Sequence, residues 1–284
     1  MSDETPKVFR CGSARLLGIL HTVYSPANVG VVVVVGGPQY RVGSHRQFVL
    51  MARRIAAAGF PVLRFDYRGM GDAEGEMRTF VNVDEDIRAA IDCLTGEVAS
   101  VNEVVLIGLC DAASASLMYS PSDKRVSGLI LLNPWVRTVT GRARTYLRHY
   151  YVSRILQKSF WRKVFSGDWG MTQSLSGFRD SIRNAAPVQG GHDDQPTASS
   201  EQFLVPMLRG LENFKGKMLI LISGRDLTAK EFIDLCSFDR RWKKAIGQPI
   251  VSLKHFPNAD HTMSERDDLY AASDACISWL RNID

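Results

Sequence analysis

The sequence contains no hydrophobic run long enough to cross a lipid bilayer. Its longest apolar stretch, over 29–37, reads "VGVVVVVGG", whereas a transmembrane helix needs about 20 such residues. The first ten residues, "MSDETPKVFR", also lack the basic start and the apolar core of a secretory signal peptide. We therefore expect a soluble, cytoplasmic protein without a transmembrane segment.

Cysteine is scarce and irregularly spaced. The chain of 284 residues holds five cysteines, with no C-x-x-C pair and no metal-ligand spacing among them. An odd number of scattered cysteines does not make a disulfide framework, and no metal or other cofactor is expected. The five are Cys11, Cys93, Cys110, Cys236 and Cys276.

Acidic residues are missing from one segment of the chain. Between Trp135 and Phe165 there are eight Lys or Arg residues and no Asp or Glu, although the formal net charge of the whole chain is only +5. The segment has no recognised nucleic-acid motif, so nucleic acid is not an expected partner. Its cations favour an anionic small-molecule or carrier-bound acyl substrate, although an ordinary solvated helix face has the same composition. The candidate substrate-binding residues are Arg142, Arg144 and Arg148.

Strand-like and helix-like segments alternate along most of the chain. Runs such as "EVVLIGLC" and "KMLILISG" indicate strands buried on both faces, and "AKEFIDLCSFDRRWKKAI", over 229–246, predicts one helix. This alternation is typical of βαβ units in a mostly parallel central sheet flanked by helices. It is interrupted between about residues 135 and 200. The sequence therefore predicts an α/β core over 1–134 and 201–284, with a helical cap inserted over 135–200.

The stretch "VVLIGLCDAASASL" indicates a strand that enters a helix through a very sharp turn with Cys110 at its apex. The pattern G-x-C-x-A is a variant of the nucleophile elbow G-x-S-x-G, in which small flanking residues let the strand and the helix approach. A helix N-terminus favours the reactive thiolate, whereas the adjacent Asp111 opposes a second negative charge. We predict that Cys110 is a nucleophile rather than a buried hydrophobe. Ser114 and Ser116 fall inside the following helix and are expected to be packing residues.

A cysteine nucleophile of this kind needs a base and an acid, which follow it along the chain in the order acid, then histidine. Asp226 comes just after the strand "KMLILIS", and His261 lies in the loop after the last strand. We predict that His261 takes the thiol proton and that Asp226 orients its ring. Asp226 could instead be a helix cap. Asp260 is the weaker alternative acid, and His255 falls within a strand.

The tetrahedral intermediate of acyl transfer also needs two N–H donors for its oxyanion. One is expected to be the backbone N–H of Asp111, the residue after the nucleophile. The second should come from the loop "GGPQY" after the third strand. Because Pro38 has no N–H, either Gly37 or Gln39 must donate, and Gln39 is the preferred prediction.

Three motifs resemble known proteins. "FDYRGMGDAEGE" resembles the D-x-R-G-x-G segment of the α/β-hydrolase superfamily, and together with "GGPQYRVGSHRQF" and "GLCDAASA" it is similar to the exosortase A system-associated hydrolase 1 family. The resemblance implies an α/β-hydrolase fold with a cap and a link to exopolysaccharide and protein sorting in Gram-negative bacteria. The cysteine nucleophile is similar to that of dienelactone hydrolases, which supports a Cys-His-Asp triad. The departures are Cys110 for Ser, Ala112 for Gly, and Gly36 where a His often begins the oxyanion loop.

These residues predict an acyl hydrolase that acts on an ester, thioester or lactone through an acyl-cysteine. Amide hydrolysis is less expected, because a thiolate expels an amine less readily than a thiol or an activated alcohol. An acyltransferase to a saccharide or another acceptor would use the same residues. A catalytically silent binding scaffold is the alternative from a different class.

Overall fold

One eight-stranded sheet organises the residues that the computed structural model describes, which are 3–37, 39–136 and 202–283. The strand order is β1-β2-β4-β3-β5-β6-β7-β8, with β1–β2 and β2–β4 antiparallel and every other neighbouring pair parallel. This arrangement confirms the predicted mostly parallel α/β sheet. The strands are β1 Asp3–Cys11, β2 Ala14–Thr22, β3 Val29–Val34, β4 Val62–Asp66, β5 Glu103–Leu109, β6 Val126–Leu132, β7 Lys217–Ser223 and β8 Val251–Phe256.

Helices cover both faces of the sheet. In the described ranges no helix is long and apolar enough to cross a membrane. The α-helices in those ranges are α1 Gln47–Ala57, α2 Asp84–Glu97, α3 Asp111–Tyr119, α4 Leu204–Asn213, α5 Leu227–Phe238, α6 Arg240–Ile246 and α7 Arg266–Leu280. Every residue of β3 is buried, and its alternate side chains enter two different apolar clusters: Val31 and Val33 pack with α1 and α7, and Val32 and Val34 with α2, α3 and α4.

The prediction of one helix over 229–246 is wrong, because the chain breaks at Asp239 into α5 and α6. Asp239 has extended backbone angles (φ −88°, ψ 125°), and its carboxylate accepts hydrogen bonds from the N–H groups of Arg241 at 2.7 Å and Trp242 at 3.2 Å. This side-chain capping begins a new helix. The apolar periodicity continues across the break, which explains why the sequence pattern did not reveal it.

A buried hydrogen bond between a histidine and an arginine joins β2 to β4 on the β1 side of the sheet. His21 on β2 accepts a hydrogen bond at Nε2 from Arg64 Nε on β4 at 2.9 Å, and both side chains are buried. Burial, followed by the nearby Arg64 charge, lowers the pKa of His21 to about 4 from the ordinary value of 6.5. Burial also lowers the pKa of Arg64 to about 10. The imidazole is therefore neutral in the folded protein near neutral pH.

The buried His21 should make the fold sensitive to acid. Below pH 6.5 the unfolded chain binds a proton that folded His21 does not bind until about pH 4, so stability falls as pH falls through this window. The slope is about 1.4 kcal/mol per pH unit, and the total is on the order of 3 kcal/mol. Denaturant unfolding of His21→Gln at pH 4.5 and 6.5 should show a smaller difference than in the wild-type protein. The same difference in both proteins would contradict the prediction, and His255→Gln, at an exposed position on β8, is the control.

Candidate active site

Cys110 lies at the sharp turn between β5 and α3. Its φ is 62°, a left-handed value that is uncommon for a residue with a side chain. The residue two positions before Cys110, Gly108, must be small, because an added Cβ there would stand 2.5 Å from the carbonyl oxygen of Ala112. The Cys110 side chain is partly exposed. The turn thus lifts the thiol out of the sheet while strand and helix backbones stay in close contact.

His261 and Asp226 meet at the same edge of the sheet as Cys110. The Nδ1 atom of His261 lies 2.8 Å from Oδ2 of Asp226, with the imidazole 35% exposed and the carboxylate 7% exposed. Asp226 follows β7, and its two oxygens also accept hydrogen bonds from Thr228 N and Ala229 N, each at 3.1 Å. The carboxylate therefore caps α5 and holds the imidazole at once. With Nδ1 held, Nε2 is the ring nitrogen left for proton transfer.

The His261 ring is also close to the turn that carries Cys110. A small cavity is lined by both His261 and Leu109, the residue before Cys110. The imidazole also lies close enough to Asp111 to act electrostatically on its carboxyl, whose pKa is raised by burial. The three predicted catalytic residues therefore share one region at the carboxyl ends of β5, β7 and β8.

Asn133 is a buried residue of this region that the sequence reasoning missed. It follows β6 with a left-handed φ of 46°. Its Nδ2 donates to Ser223 Oγ at 2.9 Å and to the carbonyl oxygen of His261 at 3.1 Å, while its Oδ1 accepts from Ser223 N at 2.8 Å. Asn133 thus ties the end of β7 to the histidine loop. The asparagine immediately after a buried strand was the available signal, since Asn tolerates the left-handed conformation.

The alternative candidates have other contacts. Asp260 accepts hydrogen bonds from Thr262 N at 3.1 Å and from Ser264, and so shapes the histidine loop. His255 is exposed on β8.

The two serines of α3 are not placed as nucleophiles. Ser114 donates to the carbonyl oxygen of Trp135 at 2.7 Å, and Ser116 donates to that of Ala112 at 2.8 Å. Both serines are buried, as expected for packing residues.

The loop after β3 carries the predicted second oxyanion donor, and we call its described residues (36–37 and 39–41) the oxyanion loop. Asp66 fastens the far end of this loop. This buried carboxylate, at the end of β4, accepts a hydrogen bond from Arg41 N at 2.6 Å and pairs with the Arg41 guanidinium. It also accepts from Asp72 N at 3.1 Å. Gly71 has a φ of 53°, and a Cβ there would lie 2.4 Å from Asp66 Oδ2. The first Asp and the second Gly of the D-x-R-G-x-G segment are therefore explained by this close packing.

The near end of the oxyanion loop contacts Asp111. Gly37 N donates to Asp111 Oδ2 at 2.9 Å, and Ala112 N donates to Asp111 Oδ1 at 2.9 Å. Burial raises the pKa of the Asp111 carboxyl above its ordinary value, although backbone N–H groups of Gly37, Ala112 and Asp111 itself favour the charged form. Gln39, the preferred second donor, forms a side-chain hydrogen bond from Nε2 to Ser44 Oγ at 3.1 Å.

The predicted substrate-binding residues Arg142, Arg144 and Arg148 lie outside the described residues, as does nearly all of the predicted insertion over 135–200.

Comparisons with known proteins agree with this fold. Residues 31–273 match the model of the alpha/beta hydrolase family. The esterase Pf2001 of Pyrococcus furiosus is similar in structure, with a TM-score of 0.65 and 15% identity over 100% of this chain and 93% of that one. Est1E of Butyrivibrio proteoclasticus, solved with ferulic acid bound, has a TM-score of 0.64 and 13% identity over 98% of both chains. A thermostable carboxyl esterase of Bacillus coagulans has a TM-score of 0.64 and 16% identity over 99% of this chain and 98% of that one. No curated protein matches significantly. At these identities the structural likenesses establish the fold.

Proposed function

The chain belongs to the alpha/beta hydrolase family, and we propose that it hydrolyses an ester, thioester or lactone through an acyl intermediate on Cys110. The observation that supports this most strongly is the 2.8 Å contact between His261 Nδ1 and Asp226 Oδ2 at the sheet edge where Cys110 stands on its strained turn. Nucleophile, acid and base follow one another along the chain in the order typical of this fold. Within the family, the motifs quoted above favour the exosortase A system-associated hydrolases.

In the proposed reaction, His261 Nε2 takes the proton of the Cys110 thiol as sulfur attacks the carbonyl carbon. A carbon–sulfur bond forms, and the carbonyl oxygen becomes an oxyanion. When the intermediate collapses, the bond to the leaving group breaks and His261 returns the proton to the departing alcohol or thiol. A water molecule, deprotonated by His261, then attacks the acyl carbon. The carbon–sulfur bond breaks, the carboxylic acid is released, and His261 returns the proton to the Cys110 sulfur. Asp226 holds the ring tautomer and stabilises the imidazolium in both halves.

The oxyanion donors in this proposal are the backbone N–H groups of Asp111 and Gln39. The engagement of Gly37 N with the Asp111 carboxylate at 2.9 Å supports Gln39 over Gly37, because a donor already bound to a carboxylate is less available to the substrate. Two such donors in a partly desolvated site account for much of the rate enhancement in acyl transfer.

The substrate is proposed to be anionic. The eight basic residues between Trp135 and Phe165, with no acidic residue among them, support long-range attraction of a negatively charged partner to an insertion over 135–200. Arg142, Arg144 and Arg148 are the proposed contacts. A phosphate-bearing thioester on an acyl carrier or an acidic saccharide ester has the required charge.

The proposed acyl-enzyme can be trapped and identified by mass spectrometry. Wild-type protein mixed briefly with p-nitrophenyl butyrate, quenched in acid and digested should carry a butyryl group on the peptide that contains Cys110. Cys93 is the internal control: it is also partly exposed, but burial raises the pKa of its thiol to about 11, so it should stay unmodified. A butyryl group on a serine peptide, on both cysteines or on neither during turnover would overturn the proposed intermediate.

A further inference from the structure

The side chain of Asp111, the residue after the proposed nucleophile, accepts a hydrogen bond on each of its two oxygens. Its two oxygens bridge two elements of the proposed site, since Oδ1 accepts from Ala112 N in the first turn of α3 and Oδ2 accepts from Gly37 N in the oxyanion loop, each at 2.9 Å. The two donors are far apart in sequence but are joined through one carboxylate. Hydrogen bonds between an ionised acceptor and an N–H are among the stronger ones in proteins.

The backbone opposite Asp111 leaves room for this carboxylate. An added Cβ at Gly36 would stand 2.0 Å from Asp111 Oδ1 and 2.8 Å from Ala112 N, so only a residue without a side chain fits there. Gly36 and Asp111 therefore form a matched pair. Asp111 is partly buried, and burial, the largest influence on its carboxyl, raises the pKa of that group. Placing a carboxylate in such a position costs free energy unless its hydrogen bonds offset the lost solvation.

From these contacts we infer that Asp111 is a positioning residue: its carboxylate tethers the oxyanion loop to the first turn of α3 and so fixes the spacing between the two N–H donors of the proposed reaction. The inference rests on the proposed function for its kinetic consequence. The tether acts from the near end of the loop, at Gly37, whereas Asp66 fastens the far end at Arg41. The segment that carries Gln39 is held between these two carboxylates.

Replacing the carboxylate should impair the transition state more than substrate binding. Asp111→Ala is expected to lower kcat on an activated ester by about 10- to 100-fold with KM changed less than about threefold, because misplaced oxyanion donors act on the intermediate. The vacated space fits formate, which supplies the same two oxygens. Formate should therefore restore part of kcat in a saturable manner, while chloride at equal ionic strength should not.

Two further variants separate a tether from a general loss of structure. In Gly36→Ala the new methyl group displaces the carboxylate and also crowds Ala112 N, so kcat should fall at least as far, and formate should not restore it. Asp239→Ala is the matched control. It also removes a carboxylate that accepts two N–H groups at the start of a helix, but it lies at the end of α5, 13 residues from Asp226, so kcat should be unchanged with or without formate.

The tether can be tested without turnover. Hydrogen exchange of the Gly37 amide, followed by NMR, should be slow in the wild-type protein, fast in Asp111→Ala and slow again with formate. Unchanged exchange in Asp111→Ala overturns the inference whether or not any ester is hydrolysed, whereas lost protection in a protein without esterase activity overturns the proposed function alone. A rise in kcat in Asp111→Ala, with inhibition by formate, also overturns the inference, because the carboxylate would then compete with the oxyanion for the same N–H groups.

Discussion

Cys110→Ala is expected to lose nearly all esterase turnover while keeping its fold. Removal of a triad nucleophile costs at least about 10⁴-fold in kcat in related chemistry. The fold should survive because the Cys110 side chain is partly exposed and Ala accepts the same left-handed φ of 62° at a similar cost. The measurement is steady-state hydrolysis of an activated ester together with the thermal unfolding midpoint.

Two companion variants complete this test of Cys110. Cys110→Ser should keep a small activity, because its hydroxyl must lose its proton to His261 at the moment of attack. Cys93→Ala, at a partly exposed thiol on α2, is the matched control and should retain full turnover. Wild-type turnover in Cys110→Ala would show that Cys110 is not the nucleophile.

The parts of the fold that sequence predicted well are those with strong local patterns. β3 is a run of valines buried on both faces, and such a run between helical patterns predicts an interior strand of a parallel sheet. Helix boundaries were harder, since the break at Asp239 depends on whether a carboxylate turns back to cap Arg241 and Trp242. The pattern of apolar residues is the same whether or not it does so.

The candidate site also has a part that the sequence predicted and a part that it did not. The placement of Cys110, Asp226 and His261 in one region could be predicted because each comes within a few residues after a strand, and the carboxyl ends of parallel strands meet at one edge. The contacts of Asp111 with Gly37 and of Asp66 with Arg41 could not. They join residues distant in sequence through side-chain orientations that no periodicity encodes. The sequence identified Asp111 as a backbone donor and as a charge beside the thiol, and no sequence pattern explained Gly36.

Asp226 caps α5 and also contacts His261, so its position is compatible with both sequence interpretations, the helix cap and the proposed triad acid. Its Oδ1 accepts from Thr228 N, while its Oδ2 contacts both Ala229 N and His261 Nδ1. A change to Asn separates the two functions, because Asn caps a helix about as well as Asp does. The uncharged amide cannot stabilise an imidazolium, and it supports the wrong ring tautomer when its N–H₂ faces Nδ1.

His261→Ala and Asp226→Asn are therefore both expected to slow acylation strongly, with the histidine change the more severe. Loss of the base removes proton transfer altogether, whereas Asp226→Asn should cost about 10²- to 10⁴-fold in kcat with an unfolding midpoint close to wild type. Rapid-quench measurement of butyryl transfer to Cys110 gives the acylation rate directly. Asp260→Asn is the matched control, since that carboxylate bonds to Thr262 and Ser264 in the same loop. Full activity in Asp226→Asn with loss in Asp260→Asn would show that Asp260, and not Asp226, is the triad acid.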